Sequence, residues 1–164
     1  MIGQTRALKD PREYGMEAVL SLLGCDRAAG DSMQSSADPK RHAIIVDDDV
    51  GICKALSFTM QKLGFETAQA ASPAQLDDAL AARTPELIFL DLSLGQSGAM
   101  DVLPILARRG YAGYVQLMSG RSQAVMDQVA AAGDEFGLKM LPALPKPFRM
   151  TVVKDVVAGL NRTQ

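Results

Sequence analysis

The sequence has no tryptophan, a single histidine and two cysteines, and aromatic residues make up only 5% of it. One histidine with Cys25 and Cys53, and no CxxC spacing, leaves too few soft ligands for a structural zinc site and no basis for a disulfide framework. Cys53 reads instead as a small hydrophobe on a helix. No apolar run reaches transmembrane length, and the first residues lack the charged, apolar, small-residue order of a secretory signal. Formal net charge is -2 with no block of lysine or arginine, so neither nucleic acid nor a membrane surface has an electrostatic footprint here. A cytoplasmic protein with no nucleic-acid and no membrane partner is the expectation. What is present is ordinary globular composition, 48% hydrophobic and 22% charged over 164 residues, enough for one full core and an additional segment.

That additional segment spans residues 1–40. Asp10-Pro11 is a cap followed by a proline at the first helical position, Met16, Val19, Leu20 and Leu23 recur at helical spacing, and Gly24 can end the helix. The stretch from Ala28 to Pro39 has linker composition. One amphipathic helix of this length needs a surface to lie on: the following domain, a twin subunit or a partner.

From Arg41 onward, strand and helix patterns alternate. Ala43-Ile44-Ile45-Val46 is a buried strand that runs into Asp47-Asp48-Asp49. Asp49 is the expected cap of a helix carrying Ile52, Leu56, Met60 and Leu63, closed by Gly64. Phe65 to Ala70 alternates weakly, as a strand near a sheet edge would, and Ser72-Pro73 starts a helix with Leu76, Ala79 and Leu80 inward. Leu87-Ile88-Phe89-Leu90 is a fully buried strand ending at Asp91. A helix follows over Ala99 to Arg109, in which Pro104 implies either a kink or a start near Asp101. Tyr114 to Met118 is a strand ending at Ser119. Ala124, Val125, Gln128 and Val129 predict a short helix ended by Gly133. Met140 to Leu144 is a last strand, placed at an edge by Pro142, and Val152, Val153, Val156, Val157 and Leu160 predict a closing helix. Five strand–helix units of this kind predict a parallel sheet covered on both faces.

In a parallel sheet the C-terminal strand ends share one edge, which brings together Asp47, Asp48, Asp91, Ser119 and Lys146. Alone, Asp91 reads equally well as a ligand-binding acid at the mouth of its strand and as a helix cap or the partner of a surface lysine. Together, three carboxylates repel unless a hard cation joins them, and Mg²⁺ suits such a donor set. A carboxylate beside Mg²⁺, faced by a lysine and a hydroxyl, is equipped to accept a phosphoryl group. His42, on the Lys40-Arg41-His42 flank, reads as a solvated residue without a role in that chemistry.

Ile44-Ile45-Val46-Asp47-Asp48-Asp49, Leu90-Asp91-Leu92-Ser93-Leu94, Met118-Ser119-Gly120 and Pro145-Lys146-Pro147-Phe148, in that order, resemble the receiver domain of two-component response regulators. The resemblance runs from about Arg41 to Asn161. It implies a flavodoxin-like (βα)5 doubly wound sheet of order 2-1-3-4-5, with residues 41–164 as the receiver domain. It also implies that Asp91 is the phosphoacceptor. Asp48, Asp91 and the Ser93 backbone carbonyl would ligate Mg²⁺, Asp47 would act through water, and Lys146 and Ser119 would bind the phosphoryl group. The donor would be a sensor histidine kinase, and Lys146-Pro147 is a candidate for a cis bond.

The sequence departs from the family at Gly95, where proline is usual, at Gly98-Ala99 for the usual Asp-Gly, and at Ala143, where an aromatic residue is usual. The Gly95 loop is expected to be looser without touching a ligand, and Ala143 leaves no aromatic rotamer switch. After Phe148 there is length for one helix, so a stand-alone regulator is expected, not an enzyme beyond its own phosphorylation and dephosphorylation. It would signal by changed association with itself, as a homodimer, or with a downstream protein. A phosphorylation-independent interaction module is the alternative. A hydrolase using Asp91 is a weaker one, since no cap insertion is evident.

Overall fold

The computed structural model describes residues 40–162. The helix expected between Asp10 and Gly24, and the linker after it, lie outside the described residues. Within them the strand–helix alternation is realised as five parallel strands and five helices, with one small hairpin inserted. Strand β1 (His42–Val46) leads to helix α1 (Val50–Lys62), β2 (Glu66–Ala70) to α2 (Pro73–Ala82), and β3 (Leu87–Asp91) to the hairpin β4 (Ser93–Leu94) and β5 (Ser97–Gly98). Then follow α3 (Ala99–Arg108), β6 (Tyr114–Ser119), α4 (Gln123–Glu135), β7 (Lys139–Pro145) and α5 (Met150–Leu160). The parallel sheet has the order β2-β1-β3-β6-β7. With the hairpin strands set aside, this is the expected 2-1-3-4-5.

The apolar runs of β1 and β3 are continuous because both faces of these central strands are covered. Ile44, Val46, Ile88 and Leu90 face one core with Leu76 of α2, Leu103 of α3 and Met126 of α4. Ala43, Ile45, Leu87 and Phe89 face a second core with Leu56 and Met60 of α1 and Val153 and Val157 of α5. Apart from the small Ala43, each such side chain contributes about 1.5–3 kcal/mol on burial. The alternation therefore fixes the register and, with it, which strand residue ends at the sheet edge.

The helix ends follow their side chains. Asp49 Oδ1 accepts from the Gly51 and Ile52 amides at 2.7 and 3.2 Å, and Ser72 Oγ accepts from Gln75 at 3.3 Å. Gly64 closes α1 with a φ of 87°, a conformation that costs glycine little. Pro104 lies inside α3, and the helix starts at Ala99, before Asp101. The proline is on the exposed face, so the hydrogen bond it cannot donate is lost where water is available.

Three expectations change. α4 does not end at Gly133 but runs to Glu135, with Gly137 in the left-handed region at φ 75°. Gly133 is buried against Met140, whose side chain a Cβ there would overlap, so the glycine serves close packing. The inner face of α4 is Met126, Val129 and Gly133, while Ala124 and Gln128 are exposed. His42 is not a solvated flank: it opens β1, half-buried, and its Nδ1 has no partner among the described residues. Burial, and then the charge of Arg83, hold its pKa below the usual value.

The N-terminal ends of the strands are tied by Arg41. Its Nε donates to Glu86 Oε2 at 2.7 Å, Nη2 to the other Glu86 oxygen, and Nη1 to Asn161 Oδ1 at 2.6 Å. Its guanidinium lies 4.2 Å from the centroid of Phe65, so one residue links the beginnings of β1, β2 and β3 to the end of α5. On the edge strand β7, Pro142 is exposed as expected. The register slips there: Gln116 pairs with Leu141 but Met118 pairs with Leu144, so β7 carries one extra residue, a bulge.

Candidate functional site

Every expected side chain stands at the C-terminal edge of the sheet. Asp47 and Asp48 follow β1, Asp91 is the last residue of β3, Ser119 the last of β6, and Lys146 follows β7. Asp47, Asp91 and Ser119 are buried and Asp48 is exposed. The buried acids are tolerated because hydrogen-bond donors meet them. Asp47 Oδ2 receives Lys146 Nζ at 2.7 Å, and its Oδ1 accepts from the Asp49 amide at 2.9 Å. The same ammonium lies 3.1 Å from Asp91 Oδ1.

Carboxylate oxygens of Asp47, Asp48 and Asp91 lie within 4.8 Å of one another. Hard oxygen donors at this separation, two of them held at a buried edge and one open to solvent, fit a hard divalent cation that keeps part of its water. The electrostatics agree. Burial raises the Asp91 pKa, more than Lys146 and the Ser93 backbone lower it. Burial opposes the Lys146 ammonium, yet its contacts with Asp47 and Asp91 outweigh burial and raise its pKa. Three carboxylates face this one ammonium, more acid than a single lysine can pair. Cys53, beside it, donates Sγ–H to the Asp47 carbonyl at 3.3 Å, and burial first, then Asp47, pushes its pKa up to about 11. It is an inert thiol.

Ser93 opens the β4–β5 hairpin opposite Gly98. Its hydroxyl is the acceptor for the Arg121 guanidinium at 3.3 Å, and Ser119 Oγ accepts from the Arg121 amide at 2.9 Å. The Lys146 amide donates to the Ser119 carbonyl at 2.6 Å, and Lys146-Pro147 is cis.

One contact overturns an expectation. The Gly95 loop does touch a candidate ligand: the Gly95 amide donates to Asp48 Oδ2 at 3.1 Å. A proline at that position has no N–H to give. The signal was the substitution itself, a residue with a free amide and a φ of 60° in place of one without. The Arg121 and Ser93 backbone donors, by contrast, carry no mark in the side-chain pattern.

Comparison with known proteins gives the family and the fold. Residues 43–158 match the family model of the response regulator receiver domain. The chain is 26% identical over 126 residues to the alginate biosynthesis transcriptional regulatory protein AlgB of Pseudomonas putida, covering 76% of this chain and 28% of that protein. It is 23% identical over 103 residues to the regulatory protein VirG of Agrobacterium fabrum, covering 63% of this chain and 40% of that one. The match therefore spans less than half the length of these curated relatives. Among solved structures, the chemotaxis protein CheY4 of Vibrio cholerae superposes with a TM-score of 0.62 at 19% identity, over 73% of this chain and 97% of that one. The receiver domain of NtrX from Brucella abortus gives 0.62 at 22% identity, over 74% and 99%. These two share the flavodoxin-like fold. By the match over residues 43–158, this chain belongs to the response regulator receiver domain family.

Proposed function

We propose that the chain accepts a phosphoryl group on Asp91 from a sensor histidine kinase, with Mg²⁺ required, and signals by changed association with itself or with a partner protein. The observation that carries this reading is the convergence of the three carboxylates within 4.8 Å, with Lys146 bridging two of them. Asp91 attacks phosphorus in line: a bond forms from its carboxylate oxygen, the bond to the donor imidazole breaks, and that nitrogen keeps the electron pair. Asp47, Asp48, Asp91 and the Ser93 carbonyl would hold the cation, which offsets charge on the phosphoryl oxygens. Lys146 supplies the second positive charge and Ser119 a hydroxyl donor to the same oxygens. Water reverses the modification, so the chemistry is self-directed and turns over no other substrate. In a cytoplasmic setting the kinase delivers the signal. In AlgB and VirG the matched region is a fraction of a longer regulator, so the downstream step is assigned outside residues 43–158, to an attached or separate partner.

The test is labelling by acetyl phosphate, with and without Mg²⁺, while mass is followed by light scattering. Wild type labels only with Mg²⁺, Asp91→Asn does not label, and mass changes with labelling if the association is with itself. A wild type that neither labels nor binds Mg²⁺ would replace this reading with a phosphorylation-independent interaction module. Ala143, at the position where the family is usually aromatic, favours that second reading.

A further inference from the structure

The three acidic side chains at the sheet edge are not held alike. Asp47 is held from two sides, by the Lys146 ammonium at 2.7 Å and the Asp49 amide at 2.9 Å, and Asp91 meets the same ammonium at 3.1 Å. Asp48 is exposed. Among the described residues its side chain forms no ion pair and accepts one hydrogen bond, from the Gly95 amide at 3.1 Å. Gly95 stands at the exposed tip of the β4–β5 hairpin, whose base is fixed: Leu94 is buried in the core, the Ala99 amide donates to the Leu92 carbonyl at 3.2 Å, and the Gly98 amide to Asp101 Oδ2 at 2.9 Å. Nothing lies within 4 Å of the place a Cβ on Gly95 would take, so space does not call for a glycine there. Its φ of 60° and its free amide do.

An exposed carboxylate without a partner samples several rotamers, and a cation that binds it must first restrict them. A carboxylate has about four acceptor sites on its oxygens, so one amide leaves room for a cation and imposes part of that restriction beforehand. The hairpin also joins two separate parts of the cation site, because it begins at Ser93, whose carbonyl is assigned to the same ion. We propose that Gly95 is a positioning residue for Mg²⁺: its amide sets the Asp48 carboxylate, so that cation binding and closure of the hairpin tip onto Asp48 strengthen each other by the same factor. The inference rests on the reading that the three carboxylates bind Mg²⁺. It is particular to this chain, since the proline usual at this position has no amide to give. The opposite arrangement is competition, in which the amide must leave Asp48 before the ion can bind.

The test uses the isotope-labelled full chain, with Mg²⁺ affinity read by calorimetry and the Gly95 amide proton by hydrogen exchange in NMR. Gly95→Asn keeps the N–H and accepts a left-handed φ, and should bind Mg²⁺ within about twofold of the wild type. Gly95→Pro has no N–H and should bind about tenfold more weakly, the effect of one hydrogen bond to a charged group. Proline also changes φ, so the amide is read directly. Without metal its exchange should be slower in the wild type than in Asp48→Ala, and Mg²⁺ should slow it about tenfold further in the wild type only. Gly95→Pro binding Mg²⁺ as tightly as the wild type, or more tightly, would overturn the proposal and leave the cation site standing. So would Gly95→Asn as weak as Gly95→Pro, or a Gly95 amide whose exchange ignores Asp48 or quickens as Mg²⁺ binds. A wild type that neither binds Mg²⁺ nor labels with acetyl phosphate overturns this inference and the phosphoryl reading together.

Discussion

The two ends of the sheet handle charge in opposite ways. At the N-terminal ends of the strands, every acid of these pairs has a base of its own or more than one: Arg41 meets Glu86, while Arg83 and, at 3.6 Å, Lys40 both meet Glu66. At the C-terminal ends, three carboxylates share one ammonium. The matched end stabilises the fold by itself. The unmatched end holds like charges that the fold alone does not need, an arrangement that makes sense where a ligand completes the set.

Changing each end in turn tests that contrast. Lys146→Ala has the largest expected effect. It strands the buried Asp47 and Asp91 without a counter-charge and should destabilise the metal-free protein by about 3 kcal/mol in urea unfolding. Added Mg²⁺ should recover part of the loss, and no recovery would mean that the acids do not bind the cation. Arg41→Ala should cost about 2 kcal/mol through its lost charged hydrogen bonds to Glu86 and Asn161. That loss should be indifferent to Mg²⁺; a Mg²⁺-dependent loss would erase the distinction between the ends.

Acid titration gives the same contrast a sign. Glu66 has its pKa lowered, first by its hydrogen bond to Arg83. It contributes stability above its ordinary 4.5 that is lost as pH falls through the folded value. Asp91, with its pKa raised chiefly by burial, behaves the other way. The folded state holds its proton more tightly than the unfolded chain does. Its ionisation therefore removes stability as pH rises from the ordinary 3.8 through the folded value. Carboxyl-carbon NMR should find Glu66 titrating below its ordinary range and Asp91 above, in metal-free protein. The smallest effect belongs to Asp49→Ala. Asp49 sits beside the acidic site but caps α1, so the substitution should cost about 1 kcal/mol of stability. Mg²⁺ affinity, read by calorimetry, should stay unchanged.

Much of this was legible in the sequence, for physical reasons. β1 and β3 are covered on both faces, so they read as unbroken apolar runs, and their last residues announce the edge where Asp47, Asp48 and Asp91 meet. Caps such as Asp49 and Ser72 are local interactions and can be read locally. The β4–β5 hairpin could not be read: two residues per strand carry no periodicity, and its pairing is made by the backbone. Gly133 misled because a glycine looks like a stop, whereas its lack of a side chain is used here by Met140, which comes from another element. The Gly95 contact with Asp48 is likewise a backbone donor reaching across the fold. The side-chain pattern marks only that an amide is free there, not where it goes. Gln116 gave no hint of complete burial, because its partner, the Pro142 carbonyl at 2.6 Å, is in place only once β7 has slipped its register.

That slip has a consequence for how this chain tolerates changes of length. Before the bulge, Met140 turns to one layer and Leu141 to the other; after it, Ala143 and Leu144 repeat the same order. Pro142 is the residue passed over, a spare link in an otherwise regular count. Deleting it leaves Ala143 opposite Leu117 and every later residue where it already was, at the expense of the carbonyl that Gln116 uses. Deleting one residue between Leu144 and Lys146 has no such slack to draw on, and it would pull the ammonium off both acids. Insertions and deletions accepted on this strand should therefore cluster at a single link, and their position rather than their size decides whether the chemistry at the sheet edge survives.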